Sequence, residues 1–488
     1  MLNKQCNVHL GPTIDLGTTC RFHLVLIILR GREGMNSPSD HSGRVIPRRN
    51  VIQAGAALAV AGVLPLLDAC AGKAATAASA AKPTTAPAVL SNKPLEITYG
   101  QFEVFKTQWD MHVAIINEFN KTNPKIHVKL EGPTYQKMQI EVAAHDAQDL
   151  VNTYNELTLG PKGALIDQAP FIQADKNLQT SILIPDALHY YEYKGKIYGS
   201  PTAIATQPCL FYNEDLFKKA GVKPPSDTVW TFDEYTQAAV KLQKAFGANS
   251  NIFASQPLDN WDYAVYANGG RVWSPGGTQL LIGSKEARAA YKWSWDLSLK
   301  YKVTPSQSEV KSIGGQGGIV TMFQTGHLAM FVGDPYPLSP LKKVTAFKWG
   351  VGPGIKGTKH PCQVIIYPLD ITVSAKTAEQ QQAAFDVINY YATSDFANNQ
   401  ILTTHYGIPA RKDWAQKATY PLKVFVDLAT NADFIYLERP YPNVSEFTSK
   451  YATADWDSVR LGKMTVDEGI DKILADYKTF QAQYKAGF

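Results

Sequence analysis

From Leu95 the stretch "LEITYGQF" alternates apolar and polar positions and predicts a strand. The apolar positions of "WDMHVAIINEFNKTNP" then recur at helical spacing until Pro124 stops them, and "KIHVKLEG" alternates again. A strand, a helix and a strand in that order predict a parallel crossover unit. The pattern continues with "LAMFV" as an apolar strand and with "FDEYTQAAVKLQKAFG" and "AEQQQAAFDVINYYATS" as helices, which together predict an α/β architecture. In "VKPPSDTVWTFDEY" the prolines stop one helix, and Thr231, three residues before Glu234, predicts a capping box that opens the next. "GGQGG" (Gly314 to Gly318) has no Gly-Lys-Ser/Thr after it, so it predicts a flexible turn before the helix of "IVTMFQTG", not a phosphate cradle.

Upstream of Leu95 the pattern changes character. Arg44, Arg48 and Arg49 precede a mostly small apolar run from Ala54 to Leu67, the anatomy of an export signal. Arg48-Arg49 followed by Asn50, Val51 and Ile52 resembles a twin-arginine signal, with Pro47 where Ser or Thr is usual. A membrane anchor is the alternative, but the run is rich in Ala and Gly, carries Gln53 and Asp68, and barely reaches the roughly 20 apolar residues a span needs. Leu67-Asp68-Ala69-Cys70 resembles a lipobox, from which Asp68 departs. Cys70 then becomes a lipidated N-terminus that anchors the chain to a membrane and has no catalytic role. Met35 gives this signal an ordinary length. The expected organisation is a mis-called start over 1–34, a signal peptide over 35–69 and a lipid-anchored tether over 70–94. The tether is mostly Ala, Thr, Pro and Ser and cannot build a core.

Composition narrows the function. The chain has 488 residues, 45% hydrophobic and 19% charged, enough for a large core and two or more domains. A formal charge of +5 without a polybasic run argues against a nucleic-acid groove. No Cys/His cluster offers a metal cage, and no cofactor is implied. Cys209 and Cys362 either pair in an oxidising envelope or lie as two separate buried thiols.

The block Tyr191 to Leu242, "YEYKGKIYGSPTAIATQPCLFYNEDLFKKAGVKPPSDTVWTFDEYTQAAVKL", resembles the family 1 extracellular solute-binding proteins of bacterial ABC importers, the maltose-binding-protein-like receptors. In that family a Y-G-x-P strand leads to a Y-N-x-x-L-F-x-x-A-G helix, a P-P turn and a T-[WF]-x-E helix start. "DLVNTYNELTLGPKGALID", "YANGGRVW", "FQTGHLAMFVGDPYPL" and "GIPARKDW" fit the same family in order, so the resemblance covers essentially all of Leu95 to Phe488. It implies a type II periplasmic-binding-protein-like fold of two α/β lobes with a hinge and a central cleft. Lobe one is expected over 95–206 plus 359–412, and lobe two over 207–358 plus 413–488. The implied function is capture of a solute, a sugar or oligosaccharide, by a monomer at the extracytoplasmic face, with delivery to the importer's permease. Nucleotide hydrolysis would belong to the partner transporter.

A sugar presents apolar C–H faces and a rim of hydroxyls, so its site needs aromatic rings and planar polar groups. The chain's 9 Trp and 24 Tyr suffice for a cleft as well as a core. Loops after strand-like runs supply the candidates: Gln101 and Phe102 after "LEITYG", then Tyr154, Asn155 and Glu156 after "DLVNT". On the second lobe the candidates are Asn260 and Trp261, with Asp334 and Tyr336 after "LAMFVG", where the family commonly places a polar-Pro-aromatic turn. Tyr336 and Trp261 are the expected stacking rings. Tyr441 and Glu446, near "YPNVSEF", are carried over from the resemblance. Tyr367 adds a ring where "QVIIYPLDITVSAK" departs from the family, which usually has Gly before that strand.

Two rivals remain at the level of sequence. A lipid-anchored carbohydrate-active enzyme needs paired carboxylates, which no sequence excludes, but G-x-S-x-G and H-E-x-x-H motifs are absent. A ferric-ion receptor on the same fold would need clustered Tyr oxygens, whereas Tyr190-Tyr191 and Tyr390-Tyr391 are expected to point apart on helices.

Overall fold

A computed structural model describes residues 88–91, 93–102, 105–247, 250–274, 278–437 and 444–483. The chain divides into two units, Met1–Ala78 and Ser79–Phe488, and every described residue belongs to the second. The expected start at Met35, the export signal, Cys70 and Tyr441 lie outside the described residues.

The crossover unit expected at Leu95 is present. Strand β1 (Leu95–Gly100), the helix Lys106–Thr122 and β2 (Ile126–Glu131) follow in order, and β1 pairs β2 in parallel from Leu95 opposite Ile126 to Gly100 opposite Glu131. The helix forms because Met111, Ile115, Ile116 and Phe119 fall on one face and are buried together. Further strands are β3 (Leu150–Val151), β4 (Ser200–Gln207), β5 (Cys209–Asn213), β6 (Phe253–Ser255), β7 (Leu328–Gly333), β8 (Trp349–Gly352), β9 (Pro361–Ile371), β10 (Ile408–Pro409) and β11 (Phe434–Leu437). Among the described residues one sheet has the order β10-β4-β9-β3-β1-β2, with β11 joined to β9, and a second has the order β8-β5-β7-β6. In the first, β9 runs antiparallel to both β4 and β3.

The chain passes from the first sheet to the second through Pro208 alone, between β4 and β5. Alternation along β5 then separates two cores. Cys209 and Phe211 join the large cluster that also holds the first sheet, and the Phe211 ring stacks on Phe331 at 4.4 Å. Leu210 and Tyr212 face the other way, toward Phe217, Tyr235 and Leu242. A third cluster gathers the helices Asp262–Ala267, Lys285–Leu299, Thr453–Arg460 and Val466–Gln483 around Trp295 and Trp456. The helix Leu422–Asn431 bridges the sheets. Its Phe425 carbonyl accepts from Thr206 Oγ1 at 2.6 Å, and its ring lies 5.8 Å from Phe211.

Local chemistry shapes the element ends as their residues predict. Thr231 Oγ1 accepts from Glu234 N at 3.2 Å while Glu234 Oε2 accepts from Thr231 N at 2.7 Å, a complete capping box. "GGQGG" forms a single tight 3-10 turn, Gly315–Gly317, ahead of the helix Gly318–Gln324, with Gly315 and Gly318 at φ 55° and 53°. Cys209 and Cys362 are both free and buried, and burial pushes the Cys362 thiol up to about 12. One expectation is corrected. Tyr190 and Tyr191 sit past the end of a short 3-10 turn, Pro185–His189, so their rings meet edge to face at 4.6 Å instead of pointing apart on a helix. Tyr390 and Tyr391 do diverge, one packing on Phe119 and the other on His112. No helix of the described residues is long and apolar enough to cross a membrane.

Candidate functional site

Loops at the carboxyl ends of parallel strands are where open α/β sheets collect ligands, because the backbone diverges there and leaves a crevice. The loops after β1, β3 and β7 converge in this way on a cavity of about 280 Å³. Its walls are Gln101 and Phe102 after β1, Tyr154 after β3, Asp334 and Tyr336 after β7, Ile365 and Tyr367 within β9, and Tyr406 ahead of β10. A second cavity of about 470 Å³ shares Tyr154 and Ile365 with the first. It runs past Tyr190, Tyr191 and Asn260 to Trp273, Trp456 and Arg460 in the helical cluster.

Each wall residue is placed by its own neighbourhood. Gln101 is buried, donates from Nε2 to the Phe102 carbonyl at 2.9 Å and accepts from the Tyr99 hydroxyl. Tyr154 holds φ 50°, a left-handed conformation rare outside glycine, and the residue before it is what fixes the turn. Thr153 donates from N and Oγ1 to Asp370 Oδ2 at 2.8 and 2.6 Å, and its carbonyl accepts from Tyr135 OH and Gln139 Nε2. Tyr367 sits at a β-bulge. The register of β9 on β4 shifts between Tyr367 and Pro368, where Pro368 faces Pro201 and neither proline has an N–H to give the ladder.

Two sets of carboxyls have different roles. Asp334 Oδ1 accepts from Tyr336 N at 3.0 Å and Oδ2 from Tyr367 OH at 3.3 Å. Desolvation by the surrounding protein pushes its carboxyl up to about 6, against the downward pull of those bonds. Asp370 and Glu156 are fully buried beneath the Tyr154 loop. A Cβ at position 199 would lie 2.7 Å from Asp370 Oδ1 and 3.1 Å from Glu156 Cγ, so the close approach requires Gly199. Burial holds both carboxyls protonated well above the usual range, and for Glu156 the neighbouring Asp370 adds to it.

The structure therefore brings Gln101, Phe102, Tyr154, Asp334, Tyr336 and Tyr367 together in one cavity and sets Asn260 in the adjoining one. Other candidates lie elsewhere. Glu156 is buried under the site as a support, and Asn155 turns away to donate to Gln139 Oε1 at 3.2 Å. Trp261 holds the N-cap position of the helix Asp262–Ala267. Its ring stacks on Tyr263 at 4.7 Å, near Trp293, and lines neither cavity. Glu446 also lines neither, although Val444 and Phe447 beside it line the larger. Trp261→Ala is accordingly expected to cost about 2 kcal/mol of stability, a melting-point loss of a few degrees, with little change in ligand affinity. Thermal unfolding beside titration calorimetry checks this, and a large loss of affinity at normal stability would return Trp261 to the site.

Sequence reasoning missed Tyr406, Ile365 and Arg460. A weak signal existed for Tyr406. It precedes Gly407, where a Cβ would lie 3.1 Å from the Tyr367 ring and 3.2 Å from Ala203, so a glycine lets the two tyrosine-bearing segments close up. Among the described residues no three His, Cys, Asp or Glu side chains converge as a metal site would need.

Residues 114–424 match the family model of the bacterial extracellular solute-binding proteins. The chain belongs to that family. This solute-binding protein is 20% identical over 421 residues to the arabinooligosaccharide-binding protein of Bacillus subtilis, a match spanning 78% of this chain and 92% of the relative. Its structure is similar to that of the ABC substrate-binding protein Lmo0181 of Listeria monocytogenes in complex with cycloalternan. There the TM-score is 0.68 at 23% identity, over 80% of this chain and 99% of the other. UgpB of Mycobacterium tuberculosis, in complex with glycerophosphocholine, gives a TM-score of 0.64 at 18% identity, over 80% and 100% of the two chains. The fold is that of the type II periplasmic-binding proteins, two α/β lobes with a cleft at the hinge.

Proposed function

We propose that this solute-binding protein captures a sugar or oligosaccharide in the two-chambered cleft and delivers it to the permease of an ABC importer. The observation that carries the reading is the ring-walled cavity at the strand ends: Phe102, Tyr154, Tyr336, Tyr367 and Tyr406 offer flat apolar surface, while Gln101 and Asp334 offer hydrogen-bonding groups for a hydroxyl rim. The family assignment and the oligosaccharide-binding relatives support it. The relatives are binding proteins, which supports capture without turnover. Two lobes, 95–206 plus 359–412 and 207–358 plus 413–488, close on the ligand as hinged receptors do, and the working form is a monomer.

A thermal-shift screen of mono- and oligosaccharides, polyols and amino acids tests the proposal, since a ligand that binds only the folded state raises its apparent stability. A saturating sugar is expected to raise the melting temperature and to shrink the particle in small-angle scattering. A shift confined to amino acids would overturn the sugar assignment. Labelled oligosaccharide recovered intact supports the receptor, whereas turnover supports an enzyme.

Retention at the membrane belongs to the same proposal and rests on the apolar run that ends at Leu67-Asp68-Ala69-Cys70. Acyl chains at roughly 0.8 kcal/mol per buried methylene hold a protein stably only when more than one is attached, as on a lipidated N-terminal cysteine. Cys70→Ser is expected to release the protein from the membrane fraction. Mass spectrometry that finds Cys70 unmodified, or residues upstream of it retained, would defeat the assignment.

A further inference from the structure

Among the described residues the smaller cavity sets a single carboxyl among aromatic rings. Phe102 meets Tyr154 at 6.2 Å and 73°, Tyr154 meets Tyr367 at 6.5 Å and 85°, and Tyr367 meets Tyr406 at 5.0 Å and 62°. Rings set at such steep angles form adjoining walls of one box, and an aromatic face carries the negative end of the ring quadrupole. Asp334 completes the box. Among the described residues it belongs to no ion pair, and its oxygens accept from the Tyr336 N–H, the Tyr367 hydroxyl and its own backbone N–H. Among the described residues the titratable groups around it are Tyr154 after β3, Tyr336 on its own turn, Tyr367 on β9, Tyr406 ahead of β10 and Cys209 on β5; no Lys, Arg or His is among them. Above about pH 6 the Asp334 carboxyl thus carries a negative charge beside aromatic rings, with no counter-charge among the described residues.

A neutral hydroxyl would hydrogen-bond to the carboxylate and leave that charge uncompensated in a low-dielectric surrounding. A cation satisfies the carboxylate and the ring faces at once. We propose that the smaller cavity receives a positively charged nitrogen, so that the captured solute carries a protonated amine or a quaternary ammonium group, an amino sugar being the form that also suits the rest of the cleft. This rests on the reading of the cleft as the solute site. Desolvation, which pushes the Asp334 carboxyl up to about 6, is the cost that a bound cation offsets. Affinity for such a ligand therefore falls as pH drops through 6, because protonation removes the charge it pairs with.

Titration calorimetry of the purified protein at pH 7.0 tests this with glucosamine, its β-1,4-linked dimer and choline against glucose and cellobiose as neutral counterparts. At least one cationic probe is expected to bind about tenfold or more tighter than the neutral sugars and to lose most of that advantage at pH 5. Tighter binding of the amino sugars identifies an amino-sugar solute, and tighter binding of choline an alkylammonium one. Asp334→Asn keeps the shape and an acceptor for Tyr336 N, so it is expected to remain folded, with an unchanged or higher apo melting temperature, and to lose the preference. The wild-type pH series tests the charge independently of that variant. Neutral sugars binding as tightly as every cationic probe, absence of binding by all cationic probes, or a preference that survives Asp334→Asn overturns the inference. A neutral oligosaccharide binding alone overturns it while leaving the sugar-receptor reading intact, whereas choline binding without any sugar does the reverse.

Discussion

Tyr336→Ala is expected to weaken binding of whichever sugar the thermal-shift screen identifies by at least about thirtyfold, with the apo melting temperature within a few degrees of wild type. A hot-spot aromatic typically carries 2 kcal/mol or more, and a factor of ten corresponds to about 1.4. The Tyr336 ring is half-buried, packs on Phe105 at 5.5 Å and forms part of the cavity wall. Its removal therefore strips ligand contact while the core stays closed, whereas truncating a fully buried aromatic would cost about 3 to 5 kcal/mol of folding stability with or without ligand. Tyr336→Phe keeps the ring and should keep most of the affinity. Calorimetry beside apo thermal unfolding separates the outcomes. Unchanged affinity in the folded Ala variant would take Tyr336 out of the site.

The second large effect concerns the carboxyls beneath the Tyr154 loop. Glu156 and Asp370 are held protonated in the folded protein far above the value of about 4 that they have unfolded. From about pH 4 upward through neutrality the native state thus binds more protons than the unfolded chain, and stability falls with rising pH until the pair has ionised. Asp334, raised to about 6, adds a slope of the same sign. His405, lowered by burial to about 4, contributes the opposite slope between about pH 4 and 6.5, so the comparison must be made against a variant.

Asp370→Asn removes one of the paired carboxyls while its amide oxygen still accepts from Thr153 and its N–H can donate to Glu156. It is expected to flatten the pH dependence and to raise stability near pH 8 by on the order of 3 kcal/mol, with the Tyr154 loop still in place. Chemical denaturation of wild type and variant from pH 5 to pH 8 reads this out. Curves that stay parallel across that range would show that the carboxyls do not titrate against one another on folding.

Much of this protein was legible in one dimension because the rules involved are local. The alternation of "LEITYG" and the helical spacing of Met111, Ile115 and Phe119 state which face of each element is apolar, and the elements formed accordingly. Thr231 and Glu234 cap their helix through atoms three residues apart, which any chain with that spacing can do. Position after a strand end was enough to gather Gln101, Phe102, Tyr154, Asp334 and Tyr336, which all reach one cavity.

What the pattern could not decide was which loop residue faces the crevice and which supports it from behind. Tyr154 and Glu156 are two positions apart, yet one is a cavity wall and the other is sealed against Asp370 and Gly199, partners supplied by distant strands. Trp261 follows Asn260, but the helix it opens turns its ring onto Tyr263 and leaves only Asn260 at a cavity. Tyr367 reaches the cavity from within a strand because two facing prolines break the ladder of β9 on β4, a pairing set by long-range register. Hydrophobic periodicity records whether a side chain is withdrawn from water. Whether it is withdrawn into a core, a support or a binding cavity depends on what the rest of the chain brings to its other side, and only the tertiary structure supplies that.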